Sequence, residues 1–200
     1  MGIATFAAQA IEEFQSTAAI APSSRFLADA MAGPLPLAQA KTVVEFGPGT
    51  GVMTRALLDR LPHDARLLSF EINPRFIEYL GEEFVDPRLE IVPIGAENVM
   101  DELSKRGLDR ADAVLSSLGL SLMPKPLVQS ILEGASKAIG DWGVFTQFQY
   151  FYRMRLEDGR PSYYDVGRAL PEHFGSIQRR MIVRNLPPAF VYECRTPRRS

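Results

Sequence analysis

Residues 42–51, which read TVVEFGPGTG, constrain the fold of this 200-residue chain more than any other stretch. A short, β-branched apolar run passes through an acid, Glu45, into a turn with glycines at positions 47, 49 and 51. The residues that follow, 52–61, carry apolar side chains at helical spacing. The stretch therefore predicts a strand, a tight turn and a helix, which open an α/β nucleotide-binding unit.

The glycine turn (residues 47–51) has the properties of a ligand-binding loop. Glycines let the backbone approach a ligand closely, and the N-terminus of the following helix is partially positive. A dinucleotide enzyme would place pyrophosphate there, with its third glycine one position later. Glu45 would repel a pyrophosphate but suits a ligand with an ammonium group, such as S-adenosylmethionine. NAD, FAD and a turn without any ligand are the alternatives.

Composition sets broad limits on the class of protein. With 46% hydrophobic residues, the chain is expected to form one domain, residues 1–200, with a sizeable core. The single cysteine, Cys194, cannot form an intramolecular disulfide and fits a reducing cytoplasm. No apolar run approaches the roughly 20 residues that span a bilayer. No Cys/His cluster has metal-ligand spacing, so no metal is expected.

The net charge of −2 is unevenly distributed. Residues 150–200 carry ten arginines, no lysine and five acids, a net charge of +5, which leaves −7 for residues 1–149. An arginine-rich part on an acidic body suits an anionic surface, such as phosphate or lipid head groups, more than duplex nucleic acid. Solvated surface arginines are the alternative.

Residues 3–15 form one apolar stripe at helical spacing, with Ile3, Phe6, Ile11 and Phe14 as its largest members. Such a helix either covers the core or lies in a membrane interface, and periodicity alone favours the core. A second helix is expected from Pro22 to about Met31, with serines near its start that can cap it or face a ligand.

Further apolar runs alternate with helical patterns, which predicts a parallel sheet with strands at residues 42–46, 67–70, 89–94, 113–115 and 143–149. Glu71 ends the second strand, twenty residues after Gly51, where an acid accepts hydrogen bonds from ribose hydroxyls in doubly wound folds. The turn at residues 95–98 can supply adenine contacts. From Phe151 we expect a loop-like region, followed by closing strands at residues 177–184 and 190–195.

This series of turns resembles the cofactor site of class I S-adenosylmethionine-dependent methyltransferases. The resemblance implies a Rossmann-like α/β fold: a seven-stranded, mostly parallel sheet with an antiparallel last strand, helices on both faces and N-terminal amphipathic helices. Glu45 would reach the amino group of the cofactor through water, Glu71 would bind the ribose and Ile72 would pack on adenine, whose amine Ala96 or Glu97 would read. The implied cofactor-binding residues are Ser24, Glu45, Phe46, Gly47, Pro48, Gly49, Thr50, Gly51, Glu71, Ile72, Gly95, Ala96, Glu97 and Ser116.

A narrower resemblance is to the bacterial phospholipid N-methyltransferases, and it is carried by residues 19–28, 44–51, 69–73 and 116–120. It implies stepwise methylation of phosphatidylethanolamine towards phosphatidylcholine, by a cytoplasmic enzyme peripherally associated with the inner face of the cell membrane. Ornithine-lipid N-methyltransferases share much of this pattern and give the alternative acceptor. The distantly related rRNA adenine dimethyltransferases hold a flipped base with Asn/Asp-Leu-Pro-Tyr/Phe after strand four. Residues 116–119 read SSLG instead, so no nucleic acid partner is expected.

The lipid resemblance also assigns the remaining candidates. The strand-tip residues Ser117, Gln147 and Tyr150 can orient the acceptor amine, and Arg25 and Arg153 can grip a lipid phosphate. Residues 1–15 become a membrane-association helix that inserts Ile3, Phe6, Ile11 and Phe14, and residues 16–200 become the catalytic core. The alternatives are an Arg25–Asp29 pair, a core role for Tyr150, a lipid-binding protein without chemistry and a soluble small-amine methyltransferase.

Overall fold

The computed structural model describes residues 24–150, 155–157, 160–162 and 165–196. The predicted membrane helix and Arg153 lie outside these residues. The helices are α1 Arg25–Ala32, α2 Val52–Leu58, α3 Pro74–Glu83, α4 Val99–Lys105 and α5 Lys125–Ile139. The strands are β1 Thr42–Phe46, β2 Arg66–Phe70, β3 Leu89–Val92, β4 Ala113–Ser116, β5 Val144–Tyr150, β6 Arg155–Glu157, β7 Arg160–Ser162, β8 Ser176–Ile182 and β9 Ala189–Arg195.

The main sheet has seven strands in the order β3-β2-β1-β4-β5-β9-β8. Strands β1 to β5 are parallel, and β9 runs antiparallel to both of its neighbours. This arrangement confirms the predicted seven-stranded, mostly parallel sheet with an antiparallel last strand. The strand order reverses between β1 and β4, and ligands of doubly wound sheets bind at the carboxyl ends of the strands beside such a reversal.

Both faces of the central strands are covered by helices. Along β1 every residue is buried, which explains why its sequence is almost continuously apolar. On one face Val43 packs with Leu27 of α1 and Leu57 of α2. On the other face Val44 packs with residues of α4 and α5. The central strands are therefore held between two layers of helices, which leaves the ends of these strands accessible to a ligand.

Several predicted boundaries moved by a few residues. Helix α1 begins at Arg25 instead of Pro22, because the hydroxyl of Ser24 accepts a hydrogen bond from the Leu27 amide and caps the helix there. The third strand ends at Val92 and the first closing strand ends at Ile182. Helix α4 was not predicted.

The prediction of a loop-like region after Phe151 was wrong in part. Residues 155–157 pair antiparallel with residues 160–162 and form a separate two-stranded sheet. The sequence does contain a signal for this hairpin, because the two residues between the strands are Asp158 and Gly159, a preferred pair in tight β-turns. In the part of the chain that the structure describes, no helix has both the length and the hydropathy to cross a membrane.

Candidate functional site

The glycine turn adopts a backbone that requires glycine at alternate positions. The φ angles of Gly47, Gly49 and Gly51 are +69°, +54° and +79°, in the left-handed region that side chains with a Cβ atom rarely adopt. The Gly47 amide donates a 2.9 Å hydrogen bond to the carbonyl oxygen of Phe70, which ties the turn to the tip of β2. The turn is thus fixed at the carboxyl edge of the sheet.

The three glycines differ in what surrounds them. A Cβ atom on Gly51 would lie 2.7 Å from Cζ of Phe84, and one on Gly47 would lie 2.7 Å from Cδ2 of Leu118. Among the described residues, a Cβ atom on Gly49 would meet only Phe76, at 4.0 Å. A Cβ atom on Gly47 or Gly51 would therefore require Leu118 or Phe84 to move, whereas the described residues leave the space above Gly49 open. That open space is where a ligand can lie against the backbone.

Glu71 faces this space and is held by backbone amides. Its Oε2 atom accepts a 3.2 Å hydrogen bond from the Gly49 amide, and Oε1 accepts 2.9 Å bonds from the amides of Ile72 and Asn73. Burial raises the pKa of Glu71, and these amides oppose the rise. Because a carboxylate has about four lone-pair sites, it can still accept from a ligand. The predicted ribose contact of Glu71 has the geometry it needs and stays a prediction.

Glu45 lies on β1, two residues before the glycine turn, and is fully buried. Its Oε2 atom accepts hydrogen bonds from the hydroxyls of Thr54, at 2.9 Å, and Ser69, at 2.6 Å. Burial raises its pKa to about 7, although the two hydroxyls oppose the rise. Its Oε1 atom is buried and has no hydrogen-bond partner among the described residues. Such an unpaired atom costs about 1–3 kcal/mol in a protein interior. An ammonium group or a bridging water would supply the missing donor.

The predicted adenine end of the site lies beside β2 and β3. Ile72 directly follows Glu71 and exposes 37% of its surface, so its side chain is available to stack on a flat ring. Ala96 is buried and Glu97 is exposed, and the Glu97 carboxylate lies so close to Gly95 that a Cβ atom there would collide with it. The amide nitrogen of the Asn98 side chain donates to the Gly95 carbonyl oxygen at 3.1 Å, which closes this turn.

The other predicted cofactor residues serve mainly to build the turn. Phe46 is fully buried and packs edge-to-face on Phe70, with ring centroids 5.6 Å apart. Pro48 is buried and its carbonyl oxygen accepts from the Gly51 amide, whereas Thr50 is exposed. Ser24 is engaged elsewhere, because its hydroxyl caps α1 and its amide donates a 3.0 Å hydrogen bond to Oδ1 of Asn185.

The predicted catalytic residues meet at the tips of β4 and β5. The Ser117 amide donates to the Phe46 carbonyl oxygen at 2.8 Å. The Gln147 amide nitrogen donates to the carbonyl oxygens of Leu118, at 3.0 Å, and Phe148, at 2.7 Å. Oε1 of Gln147 and the hydroxyls of Ser116 and Ser117 are buried and have no hydrogen-bond partner in the part of the chain that the structure describes. Three oxygens that can orient an amine are therefore left beside the turn after β4.

A shallow cleft opens next to these oxygens, and its lining residues are Leu118, Gly119, Leu120, Ser121, Phe148, Gln149, Tyr150 and Val166. The rings of Phe148 and Tyr150 meet edge-to-face with centroids 5.1 Å apart. Gln149 accepts a 2.9 Å hydrogen bond from the Val166 amide and so joins β5 to the segment that closes the cleft. Among the described residues, the lining contains no lysine, arginine or carboxylate side chain.

Arg25 is exposed, and the predicted alternative in which it pairs with Asp29 is wrong. Asp29 pairs with Arg60 instead, at 2.5 Å. Arg153, Ile3, Phe6, Ile11 and Phe14 lie outside the described residues, so their predicted contacts with phosphate and membrane stay predictions. The described residues contain no group of three His, Cys, Asp or Glu side chains that could hold a metal ion.

Sequence reasoning missed the residues that support Glu45 and the glycine turn. Thr54 and Ser69 fix the Glu45 carboxylate, and Leu118 covers Gly47. A signal was available for Ser69, because it is the one polar residue between Leu67 and Phe70 of a buried strand. Buried hydroxyls at such positions are hydrogen-bonded in most structures and so indicate a polar partner.

Comparison with known proteins adds sequence and fold relationships. The family model of ribosomal RNA adenine dimethylases matches residues 23–100. This match ends before β4, so it does not include the turn at residues 116–119. The ornithine lipid N-methyltransferase of Singulisphaera acidiphila is 29% identical over 191 residues, which cover 92% of this chain and 90% of that protein.

Other similarities are shorter or concern the fold. The ribosomal RNA small subunit methyltransferase H of Aromatoleum aromaticum is 40% identical over 73 residues, which cover 36% of this chain and only 23% of that protein. Human methyltransferase-like protein 13, solved in complex with SAH, has a TM-score of 0.62 and 18% identity, over 85% of this chain and 82% of that one. The fold and these similarities together place the chain in the class I S-adenosylmethionine-dependent methyltransferase superfamily.

Proposed function

We propose that this chain transfers a methyl group from S-adenosylmethionine to the head-group amine of an amino lipid, with ornithine lipid as the first acceptor. The observation that carries the proposal is the similarity to an ornithine lipid N-methyltransferase, which extends over nine tenths of both chains. It favours the alternative drawn from the sequence over phosphatidylethanolamine, which is the second candidate.

The donor half of the proposed site is the space above Gly49. A ligand there would meet the Glu71 carboxylate on one side and the exposed Ile72 side chain beyond it. The unpartnered Oε1 atom of Glu45 gives the amino group of the cofactor an acceptor, reached through water. When bound, S-adenosylmethionine supplies an electrophilic methyl group, so the protein has to position the acceptor and remove its proton.

The acceptor half is the cleft beside β4 and β5. A head-group ammonium must lose a proton before it can attack, and an uncharged, partly apolar lining lowers its pKa by desolvation. The rings of Phe148 and Tyr150 can hold the ammonium while it is still charged. The free oxygens of Ser117 and Gln147 then accept hydrogen bonds from the amine and direct its lone pair towards the methyl group.

An RNA base is the competing acceptor, since the matching family model and one of the similar proteins are named for RNA. Enzymes that flip a base hold it between aromatic or apolar side chains. The turn after β4 reads Ser116-Ser117-Leu118-Gly119, without an aromatic residue or a proline, and the two RNA-related similarities cover well under half of the chain. These observations favour the lipid amine.

The test uses the full chain, S-adenosylmethionine labelled in its methyl group and four separate acceptors: ornithine lipid, phosphatidylethanolamine, bacterial ribosomal RNA and a water-soluble primary amine. We expect label in ornithine lipid, and much less with a Glu71→Ala variant, whose cofactor affinity is reduced. Label in phosphatidylethanolamine alone would mean that phosphatidylethanolamine, and not ornithine lipid, is the acceptor. Label only in RNA or in the soluble amine would overturn the proposal.

We further propose that residues 1–15 attach the enzyme reversibly to the inner face of the cell membrane, where its substrate lies. Their apolar stripe supports this location, because an amphipathic helix can bury one face at the acyl boundary. Deletion of residues 1–15 should reduce flotation with liposomes. A truncated chain that floats as well as the full chain would reject this attachment.

A further inference from the structure

An exposed apolar surface lies at the turn between β8 and β9, next to the start of α1. Val183 exposes 65% of its surface, Leu186 80% and Phe26 46%. Large aliphatic side chains with such exposure are usually found at contact surfaces when they cluster. Together with Arg25 and Arg184, we refer to these residues as the hairpin patch.

The hairpin patch is positively charged. The guanidinium of Arg184 lies over the ring of Phe26, 5.4 Å from its centroid. Among the described residues, neither Arg25 nor Arg184 forms an ion pair with an acid. Asp29, the acid of α1, is engaged by Arg60. Two arginines that form no ion pair with a described acid therefore flank three exposed apolar side chains.

Hydrogen bonds fix the shape of the hairpin patch. The side chain of Asn185 exposes only 2% of its surface, in the middle of the turn. Its Oδ1 atom accepts from the Ser24 amide at 3.0 Å, and its Nδ2 atom donates to the Pro187 carbonyl oxygen at 2.8 Å. These bonds join the turn to the start of α1, so both parts of the patch are presented as one surface.

The hairpin patch lies on the same edge of the sheet as the acceptor cleft. In the register of β5 with β9, Tyr150 is opposite Ala189, and in that of β8 with β9, Ile182 is opposite Ala189. The turn between Ile182 and Ala189 therefore projects beyond the carboxyl end of β5, and Tyr150 at that end lines the cleft. A flat surface bound by the patch would also approach the cleft.

From these observations we propose that the hairpin patch contacts an anionic phospholipid bilayer. Val183, Leu186 and Phe26 enter the acyl boundary, and Arg25 and Arg184 contact the phosphates of the head groups. Exposed aliphatic side chains suit the acyl boundary of a membrane, and adjacent arginines suit its anionic head groups. A nucleic acid would instead offer bases that stack on aromatic side chains. The contact itself is independent of the proposed methylation, but its consequence, that the cleft faces the lipid, rests on the proposed function.

The test measures binding of the full chain to phosphatidylcholine vesicles with and without phosphatidylglycerol, which contain no amino lipid. The variants are Val183→Asp/Leu186→Asp and Arg184→Glu, all at exposed positions. Matched controls are Val85→Asp, at a residue that exposes 95% of its surface before β3, and Arg66→Glu, at the exposed start of β2. Both controls lie near the amino ends of strands, β3 and β2, whereas the hairpin patch lies at the carboxyl end of β5. Thermal unfolding verifies that all variants are folded.

We expect the double aspartate variant to lose about tenfold or more in vesicle affinity, because its apolar contact is removed. Arg184→Glu should lose about fivefold on vesicles with phosphatidylglycerol and little without it. The controls should bind like the unmodified chain. Unchanged binding of the patch variants, or equal losses in the controls, would overturn the inference.

Three other outcomes would also contradict the inference. The patch variants could lose affinity for RNA and keep their affinity for vesicles, or they could change oligomeric state without a change in flotation. In the third outcome, the unmodified chain does not bind vesicles. Since no acceptor is present in these vesicles, the result does not depend on methylation. Failure of the lipid methylation assay with intact vesicle binding would affect the proposed function alone.

Discussion

The amide of Gly49 donates a 3.2 Å hydrogen bond to Oε2 of Glu71, and this bond joins the glycine turn to the tip of β2. Glu71 also accepts from the amides of Ile72 and Asn73. Its carboxylate is therefore held in one orientation before any ligand arrives. Such preorganisation reduces the entropy that a ribose diol must overcome on binding.

Replacement of Glu71 by alanine should weaken S-adenosylhomocysteine binding by about tenfold to a hundredfold, since hydrogen bonds to charged groups contribute about 1.5–3 kcal/mol. Isothermal titration calorimetry measures the change. Glu133→Ala is the matched control, because Glu133 is an exposed acid that pairs with Lys137 on α5. Equal affinity of Glu71→Ala and the unmodified chain would remove Glu71 from the site.

Gly49→Ala and Gly51→Ala should separate ligand binding from packing. Both positions have positive φ angles, so both variants carry a backbone strain of about 1–2 kcal/mol. A methyl group on Gly51 also collides with Phe84, whereas among the described residues one on Gly49 meets only Phe76, at 4.0 Å. We expect Gly51→Ala to lower the free energy of unfolding more than Gly49→Ala does. Relative to its loss of stability, Gly49→Ala should reduce cofactor affinity more than Gly51→Ala does.

Chemical denaturation and calorimetry on the two glycine variants decide between these effects. If Gly49→Ala binds S-adenosylhomocysteine like the unmodified chain, the open space above Gly49 is not the cofactor site. If Gly51→Ala is no less stable than Gly49→Ala, Phe84 does not restrict position 51.

The donor half of the site could be predicted from sequence because its parts are local and regularly spaced. A strand, a glycine turn and an acid at the end of the next strand are each read from a few neighbouring residues, and the parallel sheet brings them to one edge. Gly47, Gly49 and Glu71 accordingly lie where the sequence analysis placed them.

The acceptor half depends on contacts between residues far apart in sequence. Gln147 bonds to Leu118, 29 positions away, and Asn185 bonds to Ser24, 161 positions away. Because no periodic pattern marks such pairs, the hydrogen-bond partners of Gln147 and the bond between the Ser24 amide and Asn185 could be identified only from the fold. Thr54 and Ser69 are nearer to Glu45 in sequence, 9 and 24 positions away, but they approach it from a helix and a neighbouring strand, so their contact with Glu45 also depends on the fold.

Glu45 should make stability depend on pH. Its pKa is about 7 in the folded chain, raised by burial from an ordinary 4.5. Between these pH values the folded chain holds a proton that the unfolded chain has released. The free energy of unfolding should therefore fall as pH rises from about 4.5 to about 7, by at most about 3 kcal/mol, and then stay level.

The control for this pH dependence is Glu45→Gln, whose amide oxygen can still accept from Thr54 and Ser69 but does not titrate. The pKa of Glu71 is also raised, and its contribution has the same sign, so the difference between the unmodified chain and Glu45→Gln isolates Glu45. Urea denaturation at several pH values measures it. Parallel profiles for the two proteins would contradict a raised pKa at Glu45.

Cofactor affinity should depend on the same ionisation of Glu45, but it should rise with pH, whereas the free energy of unfolding falls. An ionised Glu45 attracts the ammonium group of S-adenosylhomocysteine, whereas the protonated form does not. With a pKa of about 7, affinity should rise roughly tenfold between pH 6 and pH 8. Glu45→Gln should show a flat profile over this range, and an equal rise in both proteins would assign the effect to another group.

Gln147 should act on the acceptor and leave the cofactor unaffected. Its amide nitrogen holds the carbonyl oxygens of Leu118 and Phe148, and its Oε1 atom has no partner among the described residues. Gln147→Ala therefore releases the turn after β4 and removes the oxygen that we propose orients the amine. Misplacement of a reacting group by about 1 Å can cost about a hundredfold in rate, so we expect kcat to fall by tenfold or more.

Steady-state kinetics with the lipid acceptor, together with calorimetry of S-adenosylhomocysteine, test this role of Gln147. The dissociation constant of S-adenosylhomocysteine should stay within about twofold, because Gln147 is linked to the glycine turn only indirectly among the described residues, through Leu118. The Ser117 amide still ties the turn after β4 to the Phe46 carbonyl oxygen. Gln178→Ala is the control, since Gln178 is exposed on β8. A loss of cofactor affinity that equals the loss of kcat would make Gln147 a purely structural residue, and an unchanged kcat would exclude it from the acceptor site.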